Sequence, residues 1–178
     1  MSHSLDFAGL TEKMFLLRHL IAGTREYCRR EHLLKIPESD EWNDYAGRLR
    51  YFVSNDLVES AAKFRVIQDT AASQVSPELL QKLESELQRQ RRIGSVLAGE
   101  FALTLRESCN KIIHATKFEL IFQNARDTRS RYLYTYWNGI CKLAGTHQKK
   151  GWLVALDVYR WSEAMDSCLE RLSIKVEW

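Results

Sequence analysis

The chain has 178 residues, a length that suits one domain built around a single hydrophobic core. With 45% hydrophobic and 28% charged residues, two prolines and eight glycines, it has the make-up of a folded protein, which excludes extensive disorder and a collagen-like repeat. A net charge of +3 is too small for a protein that coats nucleic acid over its whole surface, so any polyanion site must come from local clusters. Cys28, Cys109, Cys141 and Cys168 contain no C-x-x-C pair and have no histidine at zinc-ligand spacing, which predicts free thiols, no metal site and no cofactor. No segment reaches the ~18 apolar residues of a bilayer span, and the first residues lack a basic stretch followed by an apolar run. These features predict a cytoplasmic protein with no membrane partner.

In chain order, Thr11 is placed to cap a first helix running to about Leu34, with Leu16, Leu17, Leu20, Ile21, Tyr27 and Cys28 on one broad face and Pro37 beyond its end. A second helical stretch follows Ser39 and Asp40, where Trp42, Tyr45, Leu49, Phe52, Leu57, Phe64 and Ile67 recur at three- and four-residue steps. Ser54-Asn55-Asp56 marks a candidate break in it. Ser76-Pro77-Glu78 carries a capping hydroxyl, a proline at the first helical position and an acid in the first turn, predicting a third helix that stops near Gly94. A fourth spans Glu100 to Ala115. From there the period changes to two: Phe118–Phe122 and Tyr132–Trp137 read as strands, and residues 140–157 as a hairpin around His147-Gln148-Lys149-Lys150-Gly151. Asp157 then caps a terminal helix with Val158, Trp161, Met165, Cys168, Leu169 and Leu172 on one face. The prediction is an α+β fold, predominantly α. A helical bundle over about 11–115 is followed by a small antiparallel sheet and a C-terminal helix over about 116–178, in one domain.

The fourth helix carries the most suggestive polar pattern. At about 100° per residue, with Phe101 at zero, Ile112, Leu105, Cys109, Ala102 and Ile113 occupy an apolar arc up to about 120°, and Arg106, Asn110 and His114 follow at about 140°, 180° and 220°. A histidine at that edge exchanges a proton near neutral pH, an amide one turn earlier orients it, and a guanidinium binds phosphate in a two-pronged contact. Together these are parts for RNA cleavage by general acid/base catalysis. The same parts serve plain structure, because Asn and His at a helix end hydrogen-bond the chain that follows.

Asn110-Lys111-Ile112-Ile113-His114 resembles the second half of the motif of HEPN domains, helical bundles in which an arginine, a polar residue, three further residues and a histidine lie on a late helix. In this chain Cys109 stands where the motif has its arginine, and Arg106 lies one turn earlier on the same side as Asn110. The resemblance implies an RNA-directed or defence-type protein and a homodimer in which two motifs face each other. Since the family includes both ribonucleases and non-catalytic RNA-binding or scaffolding forms, it leaves metal-independent cleavage by His114, Asn110 and Arg106 open. The alternative is a non-enzymatic protein-interaction domain in which the same three residues hold the helix to the strands.

Basic residues also cluster at Arg89, Arg91 and Arg92, at Arg126, Arg129 and Arg131, and at Lys149 and Lys150. With Tyr132, Tyr134, Tyr136 and Trp137 close behind it, the second group suggests an RNA grip by phosphate pairing and base stacking, aided by the two lysines. P-loop, dinucleotide-binding, HExxH and GxSxG patterns are absent, which removes the usual phosphotransfer, dehydrogenase, zinc-protease and serine-hydrolase readings.

Overall fold

The computed structural model describes residues 6–74, 85, 92–129 and 131–174. Two long helices, α1 (Phe7–Arg30) and α2 (Asp40–Gln74), precede strand β1 (Gly94–Ala98) and the short helix α3 (Leu105–Ile113). Strands β2 (Lys117–Arg126), β3 (Leu133–His147) and β4 (Lys150–Asp157) and helix α4 (Val158–Ser173) complete the described order. The architecture is α+β, predominantly α. The sheet is antiparallel throughout, in the order β1-β4-β3-β2.

α1 begins a turn earlier than Thr11 suggests. Asp6 is the cap: its side chain accepts the Gly9 N–H at 2.8 Å and meets Lys63 of α2 at 3.0 Å, so one carboxylate fixes both the start of the helix and its neighbour. The expected break in α2 does not occur. The Ser54 hydroxyl donates back to the Tyr51 carbonyl at 3.1 Å, and Asp56 pairs with Lys13 of α1 at 2.9 Å. Neither side chain is left to cap a new helix, and burial of Val53 and Leu57 carries the helix through. The helix expected from Ser76 lies almost wholly outside the described residues.

Gly94, expected as a helix stop, instead opens an edge strand, so β1 interrupts the expected bundle. A Cβ there would lie 2.4 Å from the Ala155 carbonyl of β4 and 3.1 Å from Leu103, so the glycine serves close strand approach. The fourth helix is correspondingly shorter than Glu100–Ala115, with Thr104 accepting the Glu107 N–H at 3.0 Å as its cap. Its buried face is therefore Leu105, Ser108, Cys109, Lys111 and Ile112, while Phe101 and Ala102 precede it and Ile113 is exposed.

The two segments expected as separate strands around Asn138-Gly139 are one strand, β3, with a bulge. Leu120 faces Cys141 but Phe122 faces Trp137, so β3 contributes extra residues there. Gly139 supplies the left-handed backbone (φ 85°), and the Trp137 indole N–H donates to the Ile140 carbonyl at 2.8 Å across the bulge. Alternating residues of β3 and β4 face the helices, and the core joins Leu10, Met14 and Leu17 of α1 to Phe64 and Ile67 of α2, Trp137 and Leu143 of β3, and Trp161 and Met165 of α4. Trp161 donates to Ser108 at 2.9 Å, tying α4 to α3. Beyond the reach of β4, the N-terminal part of β3 is covered by the chain after α1, where Thr135 N–H donates to the Leu33 carbonyl at 2.7 Å.

Candidate functional site

The α3 stripe does not assemble. Arg106 points to α2, donating to Asp69 at 2.8 Å, and Asn110 donates along its own helix to Glu107 at 3.1 Å. His114 is the C-terminal residue of the helix: its backbone N–H donates to the Asn110 carbonyl at 3.0 Å, while its side chain is exposed. The corner into β2 is tied by Thr116, whose N–H donates to the Ala144 carbonyl of β3 at 2.9 Å, and not by His114 as expected from its position. Competing carboxylates, Asp69 and Glu107, draw the other two side chains away. Helix α3 ends at Ile113, and His114 caps it one turn beyond Asn110, whose amide is turned to Glu107 instead. Cys109 is fully buried, as its place in the apolar arc suggests.

Charge concentrates instead where the β2–β3 hairpin meets the end of α1. Asp127, only 8% exposed, organises the hairpin loop. Its N–H donates to the Tyr132 carbonyl at 2.9 Å, its carbonyl accepts the Arg131 N–H at 3.0 Å, and its side chain accepts the Arg129 N–H at 2.9 Å. The other carboxylate oxygen receives Arg29 of α1 at 3.0 Å. Arg131 takes left-handed backbone (φ 62°) to complete the turn. Around these contacts Arg126, Arg129 and Arg131 are all exposed.

Arg25 extends this surface from α1. Its Nε donates to the Tyr134 hydroxyl at 3.3 Å, and its guanidinium carbon lies 5.4 Å from the centre of the Tyr136 ring. Arg29 and Arg30 are both engaged by Glu26, and the Arg29 hydrogen bond leads in holding the Glu26 carboxyl at about 2. Arg25, Arg126, Arg129 and Arg131 carry no ion pair to a described carboxylate, so their charge is open to a ligand. Tyr132 stands beside them, 61% exposed, with its ring edge-on to His32 at 5.0 Å. Arg25 and Arg29 were not anticipated in this role, although their four-residue spacing on α1 puts them on one face.

Lys149 and Lys150 do not join this group. They lie in the β3–β4 turn at the opposite end of β3, roughly 40 Å away at ~3.3 Å per residue. Arg92 is exposed, and Arg89 and Arg91 lie outside the described residues. Among the described residues no group of histidine, cysteine, aspartate and glutamate is arranged to hold a metal ion, and no helix is long and apolar enough to cross a membrane. No family model, no curated protein and no solved structure matches this chain.

Proposed function

We propose that this protein binds single-stranded RNA without cleaving it, through the arginine-bearing β2–β3 loop and the adjoining face of α1. The HEPN-like motif suggested RNA as the target. The single observation that carries the reading is the Asp127-centred loop, which holds three exposed arginines beside Arg25 and the exposed Tyr132 ring. Guanidinium groups bind phosphates in two-pronged contacts and tyrosine faces accept bases of any identity, so the site reads backbone and stacking ahead of sequence. The reading without cleavage is supported by α3, where Arg106 is engaged by Asp69 and Asn110 by Glu107, and neither is paired with His114. The test is fluorescence anisotropy with a labelled single-stranded RNA, comparing the native protein with the triple variant Arg126→Gln/Arg129→Gln/Arg131→Gln. Loss of binding with an unchanged melting temperature supports the proposal, and equal binding by both proteins overturns it.

A second reading, a non-enzymatic interaction domain, is favoured by a different observation. The groove between α1 and α2 is lined by Leu20, Gly23, Tyr27, Leu49 and Phe52, with Phe52 56% and Tyr27 52% exposed. Sedimentation over a concentration series distinguishes self-association through this face from a monomer.

A further inference from the structure

We propose that the cavity between the β1–α3 connection and the β3–β4 hairpin binds a small organic carboxylate with a flat apolar body. The cavity has a volume of about 760 Å³, within the range of small-molecule sites, and its walls include Leu97, Phe101, Glu107, Lys111, Lys150 and Trp152. It lies at the opposite end of the sheet from the arginine loop, so this proposal stands independently of RNA binding.

The inner wall holds a largely buried charge. Lys111 is 9% exposed on the core-facing side of α3, where an apolar side chain of similar volume would be cheaper to bury. Its ammonium lies 4.2 Å from the centre of the Phe101 ring, 4.8 Å from that of Trp152 and 3.0 Å from Glu107. An ammonium has three N–H donors, and one carboxylate oxygen takes one of them. Glu107 also serves Asn110 through its other oxygen, at 3.1 Å. The cation is therefore held in place by π faces and a shared carboxylate, with donors left for an incoming acceptor.

Two glycines make room for this wall. Gly145 lies opposite Trp152 on β3, and a Cβ there would meet the indole Cζ2 at 2.4 Å, so only glycine lets the ring lie against the strand. Gly99 takes left-handed backbone (φ 106°), and its Cβ would meet the Phe101 ring at 2.7 Å.

The mouth carries Lys150 from the hairpin and Glu100 from the β1–α3 connection, and its turn is strained. His147 and Lys150 flank the turn, and Gln148 and Lys149 both adopt left-handed backbone, with φ 48° and 67°. An Asn-Gly pair would relax such a two-residue turn, whereas side chains at both positions cost about 1–2 kcal/mol each. Strain of this kind collects at ligand-binding loops. A carboxylate fits between Lys150 at the mouth and Lys111 on the wall, with its apolar body against Phe101 and Leu97, the latter 51% exposed.

Isothermal titration of the native protein with benzoate and indole-3-acetate tests this, with benzamide and benzylammonium as the uncharged and cationic counterparts. The expected result is saturable one-to-one binding of both carboxylates, weakened about tenfold or more in Lys111→Met and in Lys150→Glu, and about tenfold weaker for benzamide. Lys150 is exposed, so its variant keeps the test sound if the Lys111 variant unfolds. No saturable heat with either carboxylate up to about 10 mM, equal binding of benzylammonium, or unchanged affinity in Lys150→Glu each overturns the proposal.

Discussion

The salt dependence of RNA binding follows from which arginines are already engaged. Arg29 and Arg30 face Glu26, and Arg29 also faces Asp127, so they release few counterions when RNA arrives. Arg25, Arg126, Arg129 and Arg131 remain, about four phosphate contacts, and at ~0.7 counterions per contact on a single strand the logarithm of affinity falls with a slope of about −2.8. Between 50 and 200 mM salt that slope corresponds to about a 50-fold loss of affinity. The triple variant Arg126→Gln/Arg129→Gln/Arg131→Gln keeps about one contact, a slope near −0.7 and about a threefold loss over the same range. Anisotropy titrations of a six-nucleotide RNA at several salt concentrations give both slopes, and so short an oligomer does not span the two ends of the sheet. Lys149→Gln/Lys150→Gln should leave the native slope unchanged, because those lysines sit at the far hairpin. A native slope shallower than about −1, or the same slope in the triple variant, would refute the assignment of these arginines.

The remaining expectations concern fold and proton linkage. Gly145→Ala pushes a methyl into the Trp152 ring and within 3.0 Å of the His114 carbonyl, overpacking that should cost about 1–3 kcal/mol, read as a melting-temperature drop of roughly 3–10 °C. Glu26 is held at about 2, chiefly by the Arg29 hydrogen bond; Asp6 is lowered by the Lys63 hydrogen bond and Glu59 by that of Lys13. Their stabilisation is present above the ordinary carboxyl range of about 4 and is lost as pH falls toward 2, so the melting temperature should decline there, and less steeply in Asp6→Asn/Glu59→Gln. His114→Ala removes an exposed ring whose backbone alone closes α3, so it should shift the melting temperature by less than about 2 °C, and a mixed RNA pool should stay intact with either protein. In Asp127→Asn, simple charge counting expects tighter RNA binding because a negative group is gone; if the carboxylate acts by fixing the arginine loop through Arg29, binding weakens instead, which anisotropy resolves by sign.

Period and capping signals made the long elements legible. The three- and four-residue recurrence along α2 from Trp42 to Ile67, and Asp157 ahead of Val158 and Trp161, mark helices that the structure contains, because burial of one face and a local cap both act within the segment itself. The failures share a non-local cause. Gly94 looks like a helix stop until β4 is seen 2.4 Å from where its Cβ would be, and Tyr132–Trp137 looks separate from the hairpin that begins at Ile140 until the Trp137 indole closes the bulge between them. At the site level, helical phase places Arg106 and Asn110 one turn apart within Leu105–Ile113. It did not reveal Asp69, which lies 37 positions away and claims the guanidinium. The arginines are visible in the sequence as a run of charges, but nothing in the spacing around Asp127 distinguishes a loop pivot from a solvated acid.

The two buried or half-buried ion pairs at opposite ends of the sheet do different work, and the difference lies in which partner is free. At the β2–β3 hairpin Asp127 spends its acceptors on the loop backbone and Arg29, so the cation is consumed and neighbouring arginines are presented outward. At the other end Glu107 is the group with two claims on it, and Lys111 retains unused donors against a cavity. A carboxylate that rigidifies cations produces a surface for an extended polyanion; an ammonium pinned by rings and a shared carboxylate produces a pocket for one small anion. β3 spans the distance between them and is anchored to the core through Trp137, Cys141 and Leu143, and the described residues lining the two sites do not overlap. RNA affinity should therefore be indifferent to benzoate, because coupling requires a ligand at one site to change the contacts made at the other.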